Sequence, residues 1–98
     1  MSKKQSNKQG VKSDVTLSWS NESWDDYLFW QGSDIGIFNK INTLIEECKR
    51  TPFQGTGKPE PLKGDLSGFW SRRINQEHRL VYMFEDDVLY IVQCRYHY

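Results

Sequence analysis

The spacing of apolar residues changes along this chain, and each change marks an element. From Val15 to Trp19, Val, Leu and Trp alternate with Thr and Ser, the period-two signature of a short strand with one buried face. Ser20 stands where a helix N-cap belongs, with Glu22 in the first turn to complement the dipole. Trp24, Tyr27, Leu28 and Gln31 follow helical spacing, and Gly32 is expected to end that helix. Asp34 caps a second helix. Its apolar stripe, Ile35, Phe38, Ile41, Leu44, Ile45 and Cys48, repeats at about 3.6 residues and reads as a core face, not a cofactor box. Lys49 and Arg50 suit the C-terminal dipole, and Thr51-Pro52 stops the helix.

From Phe53 to Asp65 the chain is rich in Gly and Pro and is expected to be a loop of about a dozen residues. Three strand-like segments come next: Phe69 to Ile74, His78 to Glu85 and Val88 to Tyr96. Asn75-Gln76 and Asp86-Asp87 read as tight turns between them, so antiparallel pairing is expected. The last two are nearly continuous apolar runs, as central strands are. The fold class is therefore α+β: a two-helix hairpin packed on a curved antiparallel sheet, in the order βααβββ.

Composition bounds the rest. The 98 residues make one domain, spanning 15–98, and 14% aromatics allow a dense core. Met1 to Asp14 is poor in hydrophobics and carries four lysines, so it is expected to be a disordered basic extension. It either has no role or tethers RNA weakly. The formal net charge is zero, but residues 15–48 are mostly acidic and residues 49–82 mostly basic. A local basic region can bind a polyanion even in a balanced chain. Cys48 and Cys94 lack metal-ligand spacing and read as small buried thiols. No run approaches the ~20 apolar residues of a membrane span, and the N-terminus lacks an apolar signal core, so a cytoplasmic protein is expected.

Candidate chemistry gathers in Lys58–Arg73 (KPEPLKGDLSGFWSRR). Pro59 and Pro61 stiffen the backbone around Glu60, which is expected to be held without helix or strand. A fixed carboxylate beside Lys63, Arg73 and Arg79, with His97 next to the C-terminus, is a kit for acid–base attack on a phosphodiester. Each residue also has a plainer reading. Glu60 could be a surface loop residue, Arg79 a partner in a salt bridge to Glu77 or Asp86, and His97 a frayed end. His78 and His97 sit in unrelated contexts and no metal cluster is apparent, so no metal or cofactor is expected. His78, opening a strand, reads as structural.

The same stretch, with Trp24-Asp25-Asp26-Tyr27, Arg50-Thr51-Pro52-Phe53, Glu77-His78-Arg79-Leu80-Val81-Tyr82 and Cys94-Arg95-Tyr96-His97-Tyr98, resembles the YoeB-type mRNA interferase toxins of bacterial toxin–antitoxin pairs, members of the RelE superfamily. The resemblance runs from about Leu17 to Tyr98. It implies a microbial-RNase-like fold and a ribosome-dependent endoribonuclease that cuts mRNA in the A site without a metal. By that resemblance Glu60 activates the 2′-OH, Arg79 stabilises the scissile phosphate and His97 is the general acid. Arg73 and Lys63 help bind the phosphate, and Tyr98 positions or stacks on the substrate. It also implies a cognate, YefM-like antitoxin partner, mRNA and the 70S ribosome, and a tendency to homodimerise. Two rivals stay open: a non-catalytic RNA- or ribosome-binding inhibitor of translation, and a ribonuclease that needs no ribosome.

Overall fold

Local rules account for the first half of the chain. The computed structural model describes residues 14–97; the expected disorder of the N-terminal extension and the role expected of Tyr98 lie outside the described residues, apart from Asp14. Strand β1 (Thr16–Trp19) leads through Ser20 into helix α1 (Asn21–Ser33). Ser20 and Ser23 form a reciprocal capping box, which satisfies N–H groups the first helical turn leaves unpaired. Helix α2 (Ile35–Arg50) starts on Asp34, whose carboxylate accepts from the Gly36 and Ile37 amides, and stops at Thr51.

Two expectations about these helices need correcting. Gly32 does not end α1, which continues through Ser33 to Asp34. The face of α1 turned to the core is marked by Ser23 and Trp30, while Trp24 and Leu28 are each 44% exposed. Six aromatic residues lie within Trp19–Phe38, so apolar spacing alone did not single out the inward face. In α2 the stripe holds from Ile41 to Cys48, but Ile35 at its start is exposed.

The sheet has five strands in the order β1-β5-β4-β3-β2. Strand β2 is the pair Glu60–Pro61; β3 is Trp70–Arg73, β4 Arg79–Glu85 and β5 Val88–Gln93. A short 3-10 turn, Gly64–Leu66, separates β2 from β3. The predicted order of elements holds, but the sheet is mixed: β1 runs parallel to β5, and the other three pairings are antiparallel. Crossing over through two helices brings β1 and β5 side by side in the same direction, which no turn signal near either strand could announce. Asp86 and Asp87 both have positive φ, as a two-residue hairpin turn requires. The expected tight turn at Asn75-Gln76 is instead a loop of residues 74–78, because Arg73 already pairs with Arg79.

One face of the sheet is closed by the helices. Ile41, Leu44, Ile45 and Cys48 of α2 and Trp30 of α1 pack on Leu80, Tyr82, Leu89 and Ile91. Arg72 lies on this same face, directly opposite Leu80, and has no exposed surface. Its five N–H groups make four hydrogen bonds and face one carboxylate. Nε donates to the Tyr82 hydroxyl at 3.2 Å, Nη1 to the Thr56 carbonyl at 3.1 Å, and Nη2 to the Gln54 carbonyl at 2.8 Å and to Thr51. The Glu47 carboxylate stands 3.5 Å from Nη1 and accepts from the Thr56 amide at 2.8 Å. Tyr82 in turn donates to the Pro52 carbonyl. One buried cation thereby folds the loop 51–57 against the sheet. Gly55 is obligatory there: at φ +122° a Cβ would sit 1.9 Å from the Glu47 carboxylate.

Arg72→Met should lower the unfolding free energy by at least about 2 kcal/mol in urea melts, because several partly buried acceptors lose their donor at ~1–3 kcal/mol apiece at most. A loss under about 0.5 kcal/mol would mean that water replaces the guanidinium without cost. Glu47 also gives stability a pH dependence. Its carboxyl is held below the ordinary 4.5, first by the Thr56 amide, then by the Thr56 side chain, with Arg72 adding. Its contribution is complete above that unfolded value and is lost as pH falls through the lower folded one. Glu47→Gln should therefore flatten the fall of stability below about pH 4.5. Equal acid slopes in the two proteins would contradict this.

Candidate active site

Register decides which candidates share a surface. Residues directly opposite in an antiparallel pair project from the same face, and residues two apart in a strand do likewise. Glu60 lies opposite Ser71, Ser71 opposite Val81, and Arg73 opposite Arg79. Glu60, Arg73 and Arg79 therefore all project from the face turned away from the helix-covered core. The diagonal spacing of such neighbours, about 7–8 Å between Cα atoms of Glu60 and Arg73, lets long side chains reach a common phosphate. Glu60 sits on strand β2, and not on an unpaired loop as expected: with Pro61 it forms a two-residue edge strand paired with Ser71 and Trp70 of β3.

The Arg79 guanidinium is held by backbone carbonyls. Arg79 Nη1 donates to the carbonyls of Asn75 at 2.7 Å, His78 at 3.2 Å and Gln76 at 3.3 Å, and among the described residues no salt bridge to Glu77 or Asp86 forms. Arg73 receives the loop from the other side, its amide donating to the Gly57 carbonyl at 2.7 Å. A Cβ at Gly57 would stand 3.1 Å from the Arg73 carbonyl, so the loop's close approach is to strand β3.

The C-terminal tail is anchored through its backbone. The Cys94 amide donates to the Asp26 carboxylate at 3.2 Å, and the Cys94 carbonyl accepts from the Trp30 indole at 2.9 Å. The Tyr96 amide donates to His78 Nδ1 at 2.7 Å, and its carbonyl accepts from the Arg79 amide at 3.0 Å. These bonds hold Tyr96 at φ +66°, a left-handed conformation that costs a non-glycine residue about 1–3 kcal/mol. His97 is the next residue, so it leaves the chain beside the first residue of β4. His78, expected to be structural, is buried with its ring edge-on to Trp30 at 4.7 Å. Because Nδ1 accepts, its proton is on Nε2.

Three clefts among the described residues take in the candidate residues. Glu60 and Lys63 share one with Pro61, Leu62 and Leu66. Arg73 and Arg79 share a second, of about 540 Å³, with Lys40 and Lys58. His97 lines a third with Glu22, Asp25 and Asp26 of α1. Glu60 and His97 line different members of these three clefts, one on the sheet and one beside its tail. Lys40, Lys58 and the Asp26 anchor were not singled out from the sequence. The spacing of Glu22, Asp25 and Asp26 does place them on one helix face, but nothing local says that Asp26 meets a residue 68 positions away.

Other nucleophiles are set aside by burial. Cys48 and Cys94 are free and buried, as expected, and burial pushes their thiols up to about 11 and about 12, where the reactive thiolate is scarce. The Asp26 carboxyl is also raised, by burial above all, against the opposing pull of the Cys94 amide.

A two-helix hairpin on a five-stranded sheet with a cation-lined end defines a small α+β domain. A solved YoeB/ParE toxin from Agrobacterium tumefaciens matches it with a TM-score of 0.84 and 56% identity, over 86% of this chain and 100% of that one. A YoeB–YefM toxin–antitoxin complex from Staphylococcus aureus, described as heterotetrameric, contains a chain matching with a TM-score of 0.80 and 41% identity, over 88% of this chain and all of that one. Toxin YoeB of Escherichia coli strain K12 is 67% identical over 84 residues, which are 86% of this chain and 100% of the relative. The model of the YoeB-like toxins of bacterial type II toxin–antitoxin systems matches residues 19–98, and the chain belongs to that family.

His78→Phe keeps a ring against Trp30 but deletes the acceptor of the Tyr96 amide. Hydrogen exchange at that amide should accelerate at least about fivefold, the effect of losing a hydrogen bond of ~1 kcal/mol. An unchanged rate would show that the tail does not depend on the imidazole.

Proposed function

We propose that this chain is a ribosome-dependent endoribonuclease that cleaves mRNA in the A site and so stops translation. The observation that carries this reading is the common sheet face of Glu60, Arg73 and Arg79, with the tail leading to His97 hydrogen-bonded along Arg79. Glu60 takes the proton of the 2′-OH at the cut, and the freed oxygen attacks the adjoining phosphorus. Arg79 and Arg73, with Lys63, neutralise the charge that builds on the phosphorane, which guanidinium forks are shaped to do. The bond from phosphorus to the 5′-oxygen breaks, and His97 protonates that oxygen as it leaves. A 2′,3′-cyclic phosphate remains upstream and a 5′-hydroxyl downstream. Tyr98, outside the described residues, takes a positioning or stacking role by family resemblance alone.

Candidate groups spread along a sheet face and its tail fit a reaction whose geometry is completed elsewhere. The ribosome would hold the mRNA strand in the bent form that brings base, phosphate and acid into line. Orienting reactants in this way supplies ~7–11 kcal/mol of a barrier. A YefM-like antitoxin, as in the staphylococcal complex, would neutralise the toxin until it is released, and a toxin dimer is the matching assembly. The site of action is then the cytoplasm, and the chemistry needs no metal.

Programmed ribosomes and the same mRNA without ribosomes, each incubated with the protein in EDTA, separate the alternatives. Cleavage should occur only on ribosomes and survive EDTA. Glu60→Gln should slow it by ~10²–10⁴-fold, the usual weight of a positioned base. Cutting of free mRNA would favour a general ribonuclease. Undiminished inhibition of translation by Glu60→Gln would favour a blocking protein, and loss of activity in EDTA would end the metal-free mechanism.

A further inference from the structure

The cleft at the β3–β4 end of the sheet holds more positive charge than one phosphate needs. Lys40 reaches it from α2 and Lys58 from the loop before β2, joining Arg73 and Arg79. Among the described residues no carboxylate lines it and none of the four cations enters an ion pair. Arg73 and Arg79 stand directly opposite each other across two strands, a like-charge pairing that destabilises a sheet unless an anion intervenes. Lys58 is moreover held in the left-handed region at φ +52°, next to Gly57, whose carbonyl is bonded to the Arg73 amide. Strain of this kind persists only where the surroundings impose it, and in this loop it fixes a lysine at the rim of the cleft. Lys49, at the far end of α2, is by contrast paired with Glu46 at 3.2 Å.

We infer that the cleft holds two successive phosphates of a single RNA strand: Arg73 and Arg79 take the one at the cut, and Lys40 and Lys58 take its neighbour. The division of residue types supports the assignment. Planar forks suit the phosphate whose geometry must be fixed, and lysines act as point charges that hold a flanking one. Two anchored phosphates fix the direction of the strand across the sheet face, so that the ribose between them is presented toward Glu60 on β2. The inference takes from the proposed function only the phosphate-binding role of the two arginines, and its test reads binding rather than cleavage.

The test uses a short single-stranded RNA oligonucleotide, 2′-O-methylated throughout so that it cannot be cut, with affinity followed by fluorescence anisotropy over a range of salt. Each phosphate contact on single-stranded RNA contributes about 0.7 to the slope of log affinity against log salt. Lys40→Met and Lys58→Asn should each lessen that slope, together by about 0.7 for the one phosphate they share. Asparagine is chosen at Lys58 because it tolerates left-handed backbone. Lys49→Met, outside the cleft, should leave the slope unchanged, and thermal melts check that all three variants fold. The inference is overturned if the probe shows no saturable binding at low salt, or if the Lys40 and Lys58 variants keep the wild-type slope. It is also overturned if they lose affinity only for an acidic peptide, since the cleft would then serve a protein partner. If Glu60→Gln proves fully active on ribosomes, the cleavage mechanism fails while these slopes still decide the cleft.

Discussion

The guanidinium of Arg72, sealed between α2 and the sheet, is the constraint on which the arrangement of this molecule rests. Burial acts against its charge, but the Tyr82 hydroxyl and neighbouring Glu47 more than offset this, and the group is held more firmly protonated than a free arginine. A buried charge is tolerated only where every donor is met, and this one is met mainly by carbonyls of the loop 51–56. The loop therefore cannot move away without leaving a cation in the core. Residues beyond the loop inherit its position: Gly57 docks on Arg73, Lys58 is set at the cleft rim, and Glu60 enters the sheet opposite Ser71. Arg72 and Arg73 are adjacent in strand and opposite in face. One organises the site from within, and the other displays charge to solvent.

A second set of bonds organises the tail. Asp26 and Trp30 of α1 hold Cys94, and His78 and Arg79 hold Tyr96. Arg95 adds its guanidinium over the Phe29 ring at 3.5 Å from the centroid. Arg79 therefore serves the site twice: its backbone amide fixes the tail that carries His97, while its side chain faces the cation cleft. This economy explains how so small a domain can set the candidate acid, base and phosphate-binding groups along one sheet and its tail.

Much of this arrangement was legible in the sequence, and the parts that were not have physical reasons. Caps at Ser20 and Asp34, the α2 stripe and the Asp86-Asp87 turn are local signals, and each produced the element it predicts. The parallel pairing of β1 with β5 is not local; it results from the path of two helices. Strand β2 is a two-residue strand with Pro59 before it and Pro61 within it, which reads as loop because its support is β3. Trp30 was overlooked as the core anchor of α1 because aromatic residues crowd both faces of that helix. In the candidate site, motif resemblance named Glu60, Arg73, Arg79 and His97, and register supplied the shared face of the first three. Arg72 was invisible because an arginine pair in a strand gives no sign of which member points inward until the pairing with Leu80 is known. Lys40 was invisible because it is one polar position among many on an amphipathic helix.

In the proposed reaction the 2′-oxygen of the RNA itself, activated from this sheet face, is the attacking nucleophile. Product-end chemistry tests that claim most directly. Messenger RNA cut on programmed ribosomes would be digested and its new ends identified by mass spectrometry. The expected products are a 2′,3′-cyclic phosphate, or the 3′-phosphate formed when it opens, on the upstream fragment and a 5′-hydroxyl on the downstream one. A 3′-hydroxyl paired with a 5′-phosphate would mean that water attacks instead, and Glu60 as base and His97 as acid could not stand.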